Sequence, residues 1–165
     1  MTVTATPSYG TSSALTCTLA SLASDPNLVA GRESLAVDNT SDLAMDALLG
    51  GFITTGTTPT NLKQIEIWVI GSWDGTTFSA GATGTDANFS PTANEKVNMK
   101  LATILQTDAT SNHQYEFGPF SVAQLFGGLM PKKWSVYVVH NTAVALNSNG
   151  ANHSIKYTPV KYQSA

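Results

Sequence analysis

The sequence predicts an all-β domain built from antiparallel strands. Three observations lead there: short runs of alternating apolar and polar residues from Leu15 onward, turn-forming residues between those runs, and no repeat at a 20–50 residue period. Regularly spaced short strands of this kind mark a β-sandwich or a barrel, and the missing repeat argues against a solenoid or propeller. Before them, residues 1–14 are rich in Thr and Ser, with Pro7 and Gly10 and only scattered apolar side chains. That composition predicts an arm, disordered alone and ordered by a partner. Residues 15–165 then form the single β-sandwich domain.

The first strand is expected over Leu15–Leu22, with Cys17 as a small core residue. Leu43–Ile53 reads as the next, because Leu43, Met45, Ala47 and Leu49 alternate against Asp42, Ala44 and Asp46. A short helix capped by Ser41 and stopped by Gly50 is the other reading of that segment. Gln64–Ile70 shows the clearest alternation: Ile65, Ile67 and Val69 share one face, and Glu66, Trp68 and Ile70 the other. It runs into Trp73-Asp74-Gly75-Thr76, where Asp-Gly signals a tight turn. Val97–Leu105 and His113–Phe117 are weaker strands. In Ser121-Val-Ala-Gln124 the serine caps a helical turn and the glutamine reaches back, while Gly127, Gly128 and Pro131 end it. Trp134–His140 is a strong strand, and Ser154–Lys161 is the last. Pro159 lacks the N–H a ladder needs, which predicts an edge position there. The segments 79–94 and 141–153 are long and polar, as contact-bearing loops often are.

Bulk properties restrict the functional classes. At 165 residues the chain fits one domain with a real core, and its single cysteine rules out an intrachain disulfide. Charged residues make up 12% of the chain, about half the usual share of roughly 25%. Such a surface loses little hydration when another protein covers it, and neutral strands pair edge to edge more readily. A net charge of −3 with no basic cluster beyond Lys132-Lys133 argues against nucleic acid as a partner. No basic-then-apolar leader opens the chain and no apolar run reaches bilayer length, so the expectation is a protein made and kept soluble in a cytoplasm, with no membrane partner.

Catalytic and metal signatures are not found. His113, His140 and His153 are spaced too widely for a zinc motif, although the last two could bracket one loop. Asp38, Asp42 and Asp46 fall four apart without the glycine and glutamate of a calcium loop, and read as a solvated face. Gly71-Ser-Trp-Asp-Gly75 is not a nucleophile elbow, and no basic neighbour activates Cys17. Neither a cofactor nor an acid/base pair is expected. Trp68 and Trp134 sit within strong strands and belong to the core, which leaves Trp73 as the one exposed ring.

Several stretches carry a resemblance: Ala30-Gly-Arg-Glu-Ser34, Ala36-Val-Asp-Asn-Thr-Ser41, Leu49-Gly-Gly-Phe-Ile-Thr-Thr-Gly-Thr-Thr-Pro59, the run from Phe120 to Trp134, Val139-His-Asn-Thr142 and Asn152-His-Ser-Ile-Lys-Tyr157. Together they resemble a group of small virion proteins of tailed bacteriophages, over nearly everything after Leu19. The resemblance implies a jelly-roll sandwich that forms a homotrimer on the capsid exterior. It would bind the major capsid protein as a decoration, or cement, protein that bridges capsomers. For such a protein Leu125, Phe126, Leu129 and Met130 are the expected buried contact, in the core or at a subunit interface. The arm before Leu15 is the second expected contact. The alternative is a receptor- or glycan-binding module of a tail or fibre, meeting sugar through Trp73 and the 79–94 loop.

Overall fold

The structure, a computed structural model, describes residues 5–164; residues 1–4 of the expected arm lie outside the described residues. It is mostly β. The strands are β1 (Ala5–Tyr9), β2 (Ser13–Ala14), β3 (Gly31–Glu33), β4 (Val37–Asp38), β5 (Asp46–Thr54), β6 (Lys63–Ser72), β7 (Ala87–Phe89), β8 (Lys100–Thr107), β9 (Gln114–Ser121), β10 (Lys133–His140) and β11 (Ser154–Ser164). Two short helices, α1 (Ala93–Lys96) and α2 (Val122–Leu125), complete the regular structure apart from two 3-10 turns.

Two antiparallel sheets form a sandwich. The first runs β1-β11-β5-β9, with β2 beside β11; the second runs β7-β3-β10-β6-β8, with β4 beside β10. The chain changes sheet after β2, β4, β5, β8, β9 and β10. From β6 to β8 it stays in the second sheet, passing through β7 on the far edge.

The alternation expected in β6 holds, but both of its faces are buried. Ile65, Ile67 and Val69 join Trp134, Val136 and Val138 in the main core, where Leu49, Ile53 and Ile155 of the first sheet meet them. Ile70, Tyr137 and Val139 face the other way into a second, smaller core. The 73–99 segment closes that side with Phe78, Ala80, Phe89 and Met99. Its stretch 79–94, expected as a long polar loop, instead carries a 3-10 turn, the edge strand β7 and the start of α1, and the segment as a whole forms a third layer over the second sheet.

Buried carboxylates pin this layer. Glu33, 1% exposed, accepts the N–H groups of Thr83 (3.0 Å) and Gly84 (2.7 Å) and the hydroxyl of Ser135 (3.0 Å). Glu66 accepts Trp68 Nε1 and Lys96 Nζ, both at 2.8 Å. Asp86 holds the Arg32 guanidinium at 2.6 Å and the Thr18 hydroxyl at 2.6 Å. α1 opens with a reciprocal capping box between Thr92 and Glu95, the product of a local Thr-x-x-Glu pattern.

Four expectations change. Leu15–Leu22 is not a strand: its backbone bonds go to separate partners, Leu15 N–H to Ile155, Thr16 C=O to Leu35 and Thr18 N–H to Asp86. Residues 5–14, expected as an arm apart from the sandwich, include β1 and β2, which pair with β11. β11 is therefore not an edge strand. Pro159 is tolerated because its missing N–H falls in the break between β1 and β2, where its carbonyl accepts Gly10 N–H at 2.8 Å. Leu43 and Met45, expected inside, stand outside on the loop before β5.

A candidate interaction surface at one end of the sandwich

Asn39 shapes that loop. Its side chain accepts Ala44 N–H (2.8 Å) and donates to Ala44 C=O (3.0 Å), while its own N–H donates to Lys132 C=O (2.8 Å). These bonds fold residues 39–44 back on themselves, so β5 can start only at Asp46. Leu43 sits in the left-handed region at φ 48°, with its side chain turned outward.

Opposite it lies the segment after α2. Ser121 caps this helix by accepting Gln124 N–H at 3.0 Å, as the sequence predicted, but the Gln124 side chain does not reach back to complete the expected box. The Asp46 carboxylate adds a second tie, accepting Ala123 N–H at 2.9 Å. Gly127 and Gly128, at φ 76° and 94°, then turn the chain away, a conformation glycine adopts without steric cost. Gly128 N–H closes the turn on Ala123 C=O at 2.8 Å, and Leu129 is left projecting.

Between the two segments runs an apolar groove of about 530 Å³, lined by Leu43, Ala44, Met45, Leu129, Met130 and Lys132 among others. A second depression shares Met45 and Gly128 and extends the surface to Val160 and Tyr162. The turn after β6 stands beside it, since Gly75 approaches Thr40 and Lys132. Asp74 fixes this turn by accepting Thr76 N–H (2.8 Å) and Thr77 N–H (2.7 Å). These bonds hold its carboxyl well below the usual carboxylate range. Trp73 is thereby left 81% exposed. Ion pairs flank the surface: Lys133 with Asp38 at 3.4 Å and Lys161 with Asp42 at 3.3 Å.

Of the eleven large apolar side chains exposed among the described residues, five lie at this end: Leu43, Met45, Trp73, Leu129 and Tyr162. The sequence candidates divide. Leu125 and Phe126 pack against the main core, Met130 is half-buried at the groove, and Leu129 and Trp73 point to solvent. Leu43, Met45 and Tyr162 were not anticipated. The signal for the first two was Asn39-Thr-Ser-Asp42, a cluster of turn-forming residues directly ahead of them.

The remaining polar candidates have structural partners. His140, fully buried, lies 2.9 Å from Thr142 Oγ1 and 3.1 Å from Leu22 C=O, and burial pulls its pKa down to about 4. His153 contacts Thr54 N–H and Asn147 C=O, and burial lowers its pKa too. Burial pushes the half-buried Cys17 thiol up to about 12, so it is not a ready nucleophile. Asp38, Asp42 and Asp46 serve Thr40 and Lys133, Lys161, and the backbone at α2 respectively. Among the described residues no three His, Cys, Asp or Glu side chains group as metal ligands would. The surface can bury apolar area against another molecule.

Comparison with family models, with curated proteins and with solved structures finds no match.

Proposed function

We propose that this chain is a non-enzymatic structural protein that works by being covered, as a decoration (cement) subunit on the exterior of a tailed-phage capsid. In this reading the apolar end of the sandwich docks on the major capsid protein and helps bridge capsomers. The observation that carries the docking role is the gathering of Leu43, Met45 and Leu129 around one groove, with Tyr162 in the adjoining depression and Trp73 on the neighbouring turn. Contiguous exposed apolar surface on a small protein usually marks a contact. The low charge agrees with that role, because a surface poor in Lys and Glu is cheap to desolvate. The phage assignment rests on the sequence resemblance. So does the expected homotrimer.

The strand order supports a jelly-roll reading. With β1/β2 and β3/β4 each counted as one strand, eight positions divide into two four-stranded sheets joined by crossings between them, β7 being an added edge, as two Greek keys would arrange them. A standard contact needs about 800 Å² from each partner, and apolar burial contributes about 25 cal/mol per Å² before ordering costs. Many copies on a lattice can then add stability with no single strong site.

The test is to label the protein, bind it to purified particles and image them. Regular labelling over the head, lost in a Leu43→Asp/Leu129→Asp double variant that still folds, supports the proposal. Signal confined to the tail tip rejects it. That second outcome would favour the receptor- or glycan-binding reading, for which the 81% exposure of Trp73 is the specific observation. In that case a glycan array would show saturable binding that Trp73→Ala abolishes.

A further inference from the structure

The sandwich has four edge strands, and three carry protection against pairing with another chain. β1 has Pro7 at its centre, β7 is only three residues long, and β9 carries Glu116 and Pro119. Proline, charge and brevity are the usual ways of blunting an edge. β8 differs. Its eight residues, Lys-Leu-Ala-Thr-Ile-Leu-Gln-Thr, have one charge at the very start and no proline. Its irregularity at Ala102, opposite the Ile67/Trp68 step, leaves Thr103–Thr107 regular. Leu101 and Ile104 are exposed on it, Ile104 at 47%.

The direction of its free backbone groups follows from its neighbour. Gln64 C=O accepts Asn141 N–H at 3.1 Å, so the backbone groups of Gln64 point toward β10. By alternation those of Lys63, Ile65 and Ile67 point toward β8, where they meet Thr107, Leu105 and Thr103. The N–H and C=O of Ile104 and Gln106 therefore point away from β6, and no other ladder among the described residues includes β8.

We propose that β8 is a self-association edge that pairs antiparallel with β8 of a second copy, about a twofold axis at Ile104. In this register Ile104 meets Ile104 of the second copy and the two exchange backbone bonds. Thr103 then lies opposite Leu105, and the regular stretch ends at Ala102, the extra residue of the irregularity. The contact joins the two second sheets into one continuous sheet and covers the exposed Ile104 side chains with each other. It is a twofold contact, separate from the apolar end and independent of any capsid role.

The test uses the full chain alone, without phage heads. Sedimentation at rising concentration should show the mass double, from the 17.3 kDa chain or from its trimer, and Ile104→Lys should abolish that doubling by setting two charges face to face. In a Cys17→Ser background, Ile104→Cys should form a disulfide-linked dimer under mild oxidation, because directly paired residues have Cα atoms about 5.5 Å apart, within disulfide reach. Leu35→Cys, exposed but off the edge, should not. A mass that doubles at no concentration would overturn the proposal. So would an oligomer that is indifferent to Ile104→Lys and gives no cross-link in the Ile104→Cys variant. Neither result bears on capsid labelling.

Discussion

The two sheets of the sandwich face different surroundings. The second is buried on both sides at its centre: Lys133–His140 is inaccessible at every position after Lys133, since the main core takes one face and the 73–99 layer the other. The first sheet turns its outer face to solvent, where Leu48, Phe52, Glu116, Lys156 and Thr158 line a shallow open depression. A sheet covered on both sides reads as a near-continuous apolar run, and one covered on a single side reads as alternation. Trp134 to His140 accordingly contains Val136, Tyr137, Val138 and Val139 in succession, whereas β11 alternates Ile155 and Tyr157 with Lys156 and Thr158. The third layer covers no charge without satisfying it. Its attachment runs through the carboxylates of Glu33, Glu66 and Asp86, each hydrogen-bonded by the segments it joins.

The sharpest way to break this difference is Glu33→Ala. It would orphan the Gly84 and Thr83 N–H groups and the Ser135 hydroxyl inside the covered side. Losing several charge-assisted bonds and leaving buried donors unmet should cost on the order of 4 kcal/mol in denaturant unfolding. Lys156→Ala on the open sheet should stay within about 0.5 kcal/mol. Equal losses in the two variants would mean that the 73–99 layer adds nothing to the second sheet.

Acid should act on the loop side of the covered sheet before it reaches the carboxylates. His140 is neutral in the fold with a pKa of about 4, against an unperturbed value of about 6.5. Between those values the unfolded chain binds the proton and the folded chain does not. Stability is therefore full above about pH 6.5 and falls as pH drops toward 4, by roughly 3 kcal/mol at most for this group. His153, lowered for the same reason, adds in the same direction. Asp38, held low by the Thr40 hydroxyl and N–H, and Asp108, held low by Thr110 N–H and His113, lose their contributions only at lower pH. Urea midpoints at neutral pH and at two or three steps down to about pH 4.5 check this, and His140→Gln should flatten that part of the profile. A wild-type midpoint constant over that range would contradict the neutral buried imidazole.

What the sequence revealed follows from where each signal originates. Period-two alternation is local, so Ile65, Ile67 and Val69 were placed on one face correctly, and Ser121 announced its helix within four residues. The third layer was hidden because its determinants are distant pairs: Glu33 with Gly84, Glu66 with Lys96, and Asp86 with Thr18. Leu43 and Met45 misled for the opposite reason. Their spacing matches a strand, but the Asn39 side chain satisfies Ala44 locally and removes the segment from the ladder. The candidate site was half visible. Leu129 and Trp73 could be named from turn chemistry, while the meeting of Leu129 with Leu43, beside Tyr162 and the Trp73 turn, depends on how β4, β6, β9 and β11 end at the same side of the sandwich.

The smallest expected effect on stability is the most informative about that end. Leu43→Ser and Leu129→Ser remove side chains that are 73% and 74% exposed, so each should change unfolding free energy by no more than about 0.5 kcal/mol. Phe126 sits just before the glycine turn that presents Leu129, but its ring packs against Gly71 and the main core. Phe126→Ala should therefore cost about 3 kcal/mol. If the surface acts by docking, the two serine variants together should abolish binding to its partner at unchanged stability, while Phe126→Ala should lose both. Serine variants as destabilised as Phe126→Ala would show that Leu43 and Leu129 pack within the folded chain, and the groove would then be part of the core and not a place for another protein.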